Sequence, residues 1–385
     1  MRRRKYAVRI AAILLVLALL GGCGIPLPGK GSPDFSGEAE QLTVGGFCKY
    51  YFLQLDDVSK HAYNAILTEI WDFPERVEVP MLSDEQLNSM FLALLYDNPE
   101  LFFLGNRSTV RQSKRRAYFY PEYVMGADDY YAMQRRCSEA AKKIADTAAT
   151  FDTEFQREKS VHDQLIAMCT YNDSGDALYK NSVYGPLCAG SAGCEGYAKT
   201  AKYILDRLHI PCYVVSGQSA VPGSQSQNHM WNIVCIGGQY YHLDLTWDDP
   251  VLEKGGSVIQ HDYFNVTDAQ IGATHSGYTS ANACTAIEGN YFVHEHLLFS
   301  EWSAAERDRM VGVAAELIVA GSEGFQIRFA TEKAYRDALT KLIEGQEIYD
   351  LLARVKEAAQ ADFATDKVSY VQNDSAFIVN IILVK

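Results

Sequence analysis

The chain has 385 residues, 48% of them hydrophobic, which is more than one core usually absorbs, so two or three packed units are expected. Its formal net charge is −13, and the acidic surface this implies repels phosphate backbones, excluding nucleic acid as a partner. It offers no polybasic patch for a membrane surface.

Residues 1–22 read as an export signal. Arg2, Arg3, Arg4, Lys5 and Arg9 form a basic start, and residues 11–20 are an apolar run too short for a stable bilayer span. Leu20-Gly21-Gly22-Cys23 looks like a bacterial lipobox, so Cys23 is expected to be lipidated and to become the first mature residue. Losing these residues removes five positive charges and no acid, taking the formal charge from −13 to −18. Residues 23–46, bearing Gly, Pro and Ser, would then tether an extracytoplasmic protein to the bacterial cell membrane.

Residues 47–150 are expected to form a mainly helical domain. Tyr63, Ile66, Leu67 and Ile70 share a helical face, and Ser83-Asp84-Glu85-Gln86 is a capping box before Leu87, Phe91, Leu94 and Leu95. Residues 101–104 and 117–120 suggest short strands, and 128–149 a connecting helix. The basic run Arg107, Arg111, Lys114, Arg115 and Arg116 reads as a solvated loop.

Residues 151–275 carry the chemistry. Thr153 and Gln156 cap a helix with Val161, Leu165, Met168 and Cys169 on its apolar side. Gly193-Cys194-Glu195-Gly196-Tyr197-Ala198 then places a cysteine among small residues at the start of a helix whose apolar face is Tyr197, Ala201, Ile204, Leu205 and Leu208. The positive end of a helix dipole favours thiolate over thiol, which makes such a cysteine a nucleophile. Residues 212–217 read as a strand, and a polar loop over 218–228 borders the next one. Residues 229–236 and 239–246 form a hairpin about Gly237-Gly238, in which residues summing to 475 face each other. His229 and Asp244 become diagonal neighbours on one face, whereas a one-residue slip would separate them.

Cys194, His229 and Asp244, in this order on helix, strand and strand, have the logic of an activated acyl-transfer nucleophile. The motifs around Cys194, Asn228-His229-Met230-Trp231-Asn232 and Tyr241-His242-Leu243-Asp244-Leu245-Thr246-Trp247-Asp248 together resemble the transglutaminase-like superfamily, in particular its bacterial secreted members. The resemblance covers roughly residues 152–270. It implies an α+β, papain-like core, a nucleophile helix packed on an antiparallel sheet, with Cys194, His229 and Asp244 as the triad. Met230 stands where relatives often carry alanine. The Cys194 backbone N–H is a candidate oxyanion donor, and Tyr184, Trp231, Trp247 and Gln164 are candidates for the remainder of the substrate site.

Residues 262–266 suggest one more strand, and 276–385 a smaller α/β domain: a strand over 291–299, helices over 304–319 and 332–359, an extended 325–329 and a hairpin over 368–384. His294-Glu295-His296 lacks further ligands in the sequence, so no metal is assigned, and the chemistry calls for no cofactor. With Cys23 assigned to lipid and Cys194 to catalysis, seven cysteines remain, an odd number that specifies no pairing. The expected activity is acyl transfer from peptide or protein amides through a Cys194 thioester, with hydrolysis favoured over transamidation. Peptidoglycan stem peptides are among the candidate substrates. The competing reading is a lipid-anchored binding or scaffold module with an idle triad.

Overall fold

Local capping chemistry sets where several of the helices begin. In the computed structural model, which describes Phe35, residues 48–249 and residues 259–384, Asp56 accepts the Ser59 N–H ahead of α1 (Asp57–Glu69). Ser83 and Gln86 close a reciprocal capping box ahead of α2 (Asp84–Asp97). Thr153 and Gln156 do the same ahead of α4 (Glu154–Met168), which follows the long α3 (Ala127–Ala148). Cys23, the export segment and, apart from Phe35, the tether lie outside the described residues. Among the described residues, no helix is long and apolar enough to cross a membrane.

The first part of the chain is less purely helical than its sequence suggests. β1 (Val77–Val79), β2 (Leu104–Gln112) and β3 (Ala117–Tyr123) form an antiparallel sheet in the order β1-β3-β2. Residues 101–103 precede β2 as turns. The basic run falls on the exposed β2–β3 hairpin, with Arg107 and Arg111 on the strand and Lys114, Arg115 and Arg116 at its turn.

The nucleophile helix is α5 (Cys194–Leu205), and almost its whole surface is covered. Ile204 and Leu205 are fully buried, each contributing about 2 kcal/mol in removal of apolar surface from water. Lys202 is buried too, its ammonium held by the Asp206 carboxylate at 2.8 Å and by the carbonyls of Cys48 and Cys212. Gly196 is required by close approach: a Cβ there would lie 2.3 Å from the Lys180 carbonyl. One continuous apolar core runs from Phe52 through Ile144 and Leu165 to Ile204 and Phe264, joining the first helices to α5.

Against α5 lies an antiparallel sheet of β4 (Cys212–Ser219), β5 (Gln227–Ile236), β6 (Gln239–Leu243) and β7 (His275–Ser276), in the order β6-β5-β4-β7. Gly237 and Gly238 both take positive φ, as a two-residue hairpin turn demands. The register is the expected one, from Ile236↔Gln239 to Asn232↔Leu243. The ladder ends there: Asp244 turns away, its N–H donating to the Tyr263 carbonyl. β4 and β5 both run further than read, so the loop between them shrinks to residues 220–226.

Residues 262–266 are not a strand. Asn265 adopts positive φ and reaches the Glu158 carboxylate, leaving a single bridge between His242 and Val266. Residues 291–299 also depart from strand form: Asn290 caps the helical turn Tyr291–His294, and only β8 (Leu298–Phe299) is extended. The adjacent Tyr291 and Phe292 are both buried, which a strand with one solvated face could not accommodate. α6 (Ala304–Val319), α7 (Glu332–Leu339) and α8 (Glu347–Ala359) accompany a sheet of β8, β9 (Gly324–Phe329), β10 (Val368–Asn373) and β11 (Ile378–Leu383), ordered β8-β9-β11-β10. Gln346, at positive φ, breaks what reads as one helix over 332–359. A second apolar cluster, including Phe329, Leu352 and Val379, holds this part together.

Candidate active site

Cys194 is the first residue of α5, so its backbone N–H has no acceptor within the helix and points out of its N-terminus. The His229 imidazole faces the same cleft, close enough for the Cys194 side chain to help raise its pKa. His229 sits on β5 opposite Gly217 of β4, and its Nε2 donates to Asp244 Oδ2 at 2.6 Å. That engagement leaves Nδ1 for the sulfur. Helix, strand and the turn after β6 thus bring together the three residues singled out by the motifs.

The Asp244 carboxylate is satisfied on both oxygens. Oδ1 accepts the backbone N–H groups of Thr246 and Trp247 at 3.0 and 3.3 Å, and Oδ2 accepts from His229 and from His275 Nε2 at 3.0 Å. A carboxylate can only accept, so both imidazoles donate here. Burial by itself would raise the Asp244 pKa, but the charge and hydrogen bonds of His229, joined by His275, hold it below the usual carboxylate range. For His229 the same opposition runs in reverse. Burial pulls its pKa down, yet the Asp244 charge and hydrogen bond win, with a further contribution from Cys194, and hold it at about 10.

His275 went unnoticed in the sequence. It lies on β7, opposite Ser219, and its Nδ1 pairs with the Thr274 hydroxyl at 2.9 Å. Nothing in its local neighbours signals this role, because it reaches Asp244 only through the sheet edge. His242 belongs to the third motif and is fully buried. Its Nδ1 accepts the Trp231 indole N–H at 3.0 Å, and its Nε2 donates to Asp268 at 2.9 Å.

The cleft in front of Cys194 has a volume of about 660 Å³ and is lined by Asn181, Glu195, Ser216, Gln218, Asn228 and Met230 together with His229. Met230 borders the pocket. Trp231 does not: it is buried, its ring stacked 5.8 Å from that of His229, and it forms a floor beneath the base. Trp247 packs 4.8 Å from His275 and 6.2 Å from His229, behind the Asp244 side. Tyr184 accepts a hydrogen bond from Arg136, and the Gln164 amide donates to the Ser160 carbonyl and hydroxyl on α4; neither lines the cleft.

Among the described residues, three groups of side chains converge closely enough to ligate a cation: His162, Asp163 and His261; His229, Asp244 and His275; and His242, Asp268 and Cys284. In each, the carboxylate is already a hydrogen-bond acceptor. Asp163 also holds the Lys159 ammonium at 2.7 Å, which opposes a second cation. His294, of the His-Glu-His run, instead stacks on Phe155 with ring centroids 3.6 Å apart.

The family model of the transglutaminase-like superfamily matches residues 141–245, a span that includes α4, α5 and the hairpin through Asp244. Over residues 141–245 this chain is similar to the transglutaminase-like superfamily. Solved structures similar to it include a TGase, 17% identical over 47% of this chain and 53% of that one, with a TM-score of 0.27. A candidate cysteine protease from Cytophaga hutchinsonii is 12% identical over 36% and 61% of the two chains, with a TM-score of 0.24. A candidate protease from Parabacteroides distasonis is 10% identical over 40% of each chain, with a TM-score of 0.22. The chain spans about half the length of these structures. No curated protein matches it. Within the transglutaminase-like core, the α+β arrangement is a nucleophile helix against an antiparallel sheet.

Proposed function

We propose that the transglutaminase-like core is a cysteine enzyme that cleaves peptide or protein amides through a Cys194 thioester. The observation that carries this reading is that Cys194 and His229 line one cleft, with His229 bonded to a doubly anchored, fully buried Asp244. The Cys194 sulfur, as thiolate, attacks the amide carbonyl, and the α5 N-terminal N–H of Cys194 faces the developing oxyanion. The proton on His229 passes to the leaving amine, giving the thioester. Acylation removes the sulfur's contribution to the high His229 pKa, which frees the imidazole to take a proton from water in the second step.

Hydrolysis is favoured over transamidation. The cleft is open, and beside Met230 it is edged by the polar Asn181, Ser216, Gln218 and Asn228, which admit water alongside the thioester. Export and lipid attachment at Cys23 would place this activity at the outer face of the cell membrane, where peptides of the envelope, peptidoglycan stem peptides among them, are the candidate substrates.

The test is a peptide panel incubated with a labelled primary amine, with Cys194→Ala as control. Hydrolysed product in excess of amine-coupled product at millimolar amine is expected. Excess coupled product would make this a cross-linking enzyme, and no turnover of either kind would leave a binding module. Mass spectrometry of the mature N-terminus tests the anchor: a diacylglyceryl thioether at Cys23 is expected, and an unmodified start elsewhere rejects it.

A further inference from the structure

Two thiols meet at the seam between α3 and the turn that leads to the nucleophile. Cys137 on α3 is fully buried, Cys188 on the π-helical turn Gly185–Ala189 is partly exposed, and their sulfurs lie 3.9 Å apart. A disulfide spans about 2.05 Å, so the sulfurs need approach by only about 2 Å. The two segments are already in contact around these cysteines. Arg136, the residue before Cys137, donates to the Tyr184 hydroxyl at 2.6 Å and lies over its ring. On the other side Gly185 is packed so closely that a Cβ would meet the Tyr179 carbonyl at 2.4 Å and the Ser191 carbonyl at 2.8 Å.

We propose that Cys137 and Cys188 close into a disulfide under oxidising conditions, forming a redox-dependent staple between α3 and the segment that delivers Cys194. The oxidant is a small-molecule disulfide such as oxidised glutathione. Cys188, the accessible thiol, loses its proton to solvent and attacks one sulfur of the oxidant, breaking that S–S bond and releasing one thiolate. Cys137, deprotonated in turn, attacks the Cys188 sulfur of the mixed disulfide and expels the second. Two protein thiols give up two electrons and two protons, and the oxidant leaves as two thiols. Burial raises the pKa of both thiols, so closure is slow at neutral pH and quickens as pH rises. The cross-link ties positions 51 residues apart and restricts the unfolded chain. Neither cysteine lines the cleft, so the staple acts on persistence of the fold and is independent of the proposed reaction.

The full chain, equilibrated with oxidised or reduced glutathione, is quenched by alkylation, digested with trypsin and sequenced by tandem mass spectrometry. Fragmentation is needed because residues 181–199 form one tryptic peptide holding both Cys188 and Cys194. The expected result is a peptide bridged from Cys137 to Cys188, two hydrogens lighter, with Tm several degrees higher in the oxidised protein. Cys188→Ser should abolish both the bridge and the Tm difference; if that variant does not fold, the oxidised and reduced wild-type forms decide alone. Recovery of both thiols alkylated, of Cys188 as a lasting glutathione mixed disulfide, of Cys137 bridged elsewhere, or of an unchanged Tm overturns the staple.

Discussion

One hairpin carries two histidines whose imidazole–carboxylate pairs behave in opposite ways. His229 and Asp244 stand at its open end, while His242 and Asp268 lie beneath them with Trp231 between. The His229 pKa is held at about 10, whereas that of His242 falls below its ordinary value, burial outweighing the Asp268 hydrogen bond. Part of the difference is the carboxylate. Asp244 is buried at 1% exposure with four donors, and Asp268 is 40% exposed, where water weakens its field. The rest lies at the second ring nitrogen. His242 Nδ1 accepts the Trp231 N–H, which an imidazolium cannot do, while His229 presents its second nitrogen to a sulfur that can give or take a proton. An aspartate neighbour alone therefore does not set the charge of a histidine.

Asp244→Asn should collapse this contrast with the largest effect. Turnover is expected to fall by roughly 10³- to 10⁴-fold, as when a triad carboxylate is replaced by an amide. The same variant sharpens the electrostatics. A pKa raised from 6.5 to about 10 contributes stability that is complete below pH 6.5 and lost as pH rises through about 10. Wild-type Tm should thus decline across that window, and the variant's Tm should decline less. Equal slopes would show that His229 is not paired as described.

His275→Ala comes next. It removes one donor from Asp244 Oδ2 and is expected to lower kcat by roughly 10- to 100-fold, a range set by analogy with the partners that orient metal ligands. KM should change little. The acid limb of the pH–rate profile should move upward, since Asp244 loses a hydrogen bond to its ionised form. His275→Gln, which keeps an N–H donor, should recover much of the loss. A purely structural role would shift Tm and leave the profile where it is.

Trp231→Phe keeps a ring under His229 and deletes the N–H to His242. Leaving a buried acceptor without its donor should cost about 1–3 kcal/mol in stability, with turnover reduced by less than an order of magnitude. The sign of the pH effect is opposite to that at His229. A depressed histidine contributes stability above its unfolded pKa of about 6.5 that is lost as pH falls below it, because the unfolded chain then binds more protons. In the variant His242 can take a proton, so its NMR titration should move up and this acid-side loss should shrink. An unmoved titration would remove Trp231 as the cause.

Asp268→Asn should matter least. The amide oxygen can still accept from His242, and the carboxylate is exposed, so the stability change should stay within about 1 kcal/mol. Catalytic loss comparable to that of Asp244→Asn would mean that the two pairs are coupled through Trp231.

Much of this core was legible because its determinants are local. Gly237-Gly238 specifies a two-residue turn, and that turn sets every pairing down to Asn232↔Leu243, which puts His229 within reach of Asp244. The capping boxes at Ser83 and Thr153 mark helix starts in the same way. Cys194 is placed by small residues that let α5 approach the Lys180 carbonyl. What only the tertiary structure decided involves partners distant in sequence or faces that periodicity does not assign. His275 joins Asp244 from 31 residues away across a sheet edge, and Cys137 meets Cys188 between two separate elements. Trp231 reads as a substrate contact until burial turns it into a floor, and residues 291–299 alternate like a strand until Asn290 caps them into a helical turn. Spacing within one element is a property of the chain alone, whereas which buried face another element covers depends on how the whole core packs.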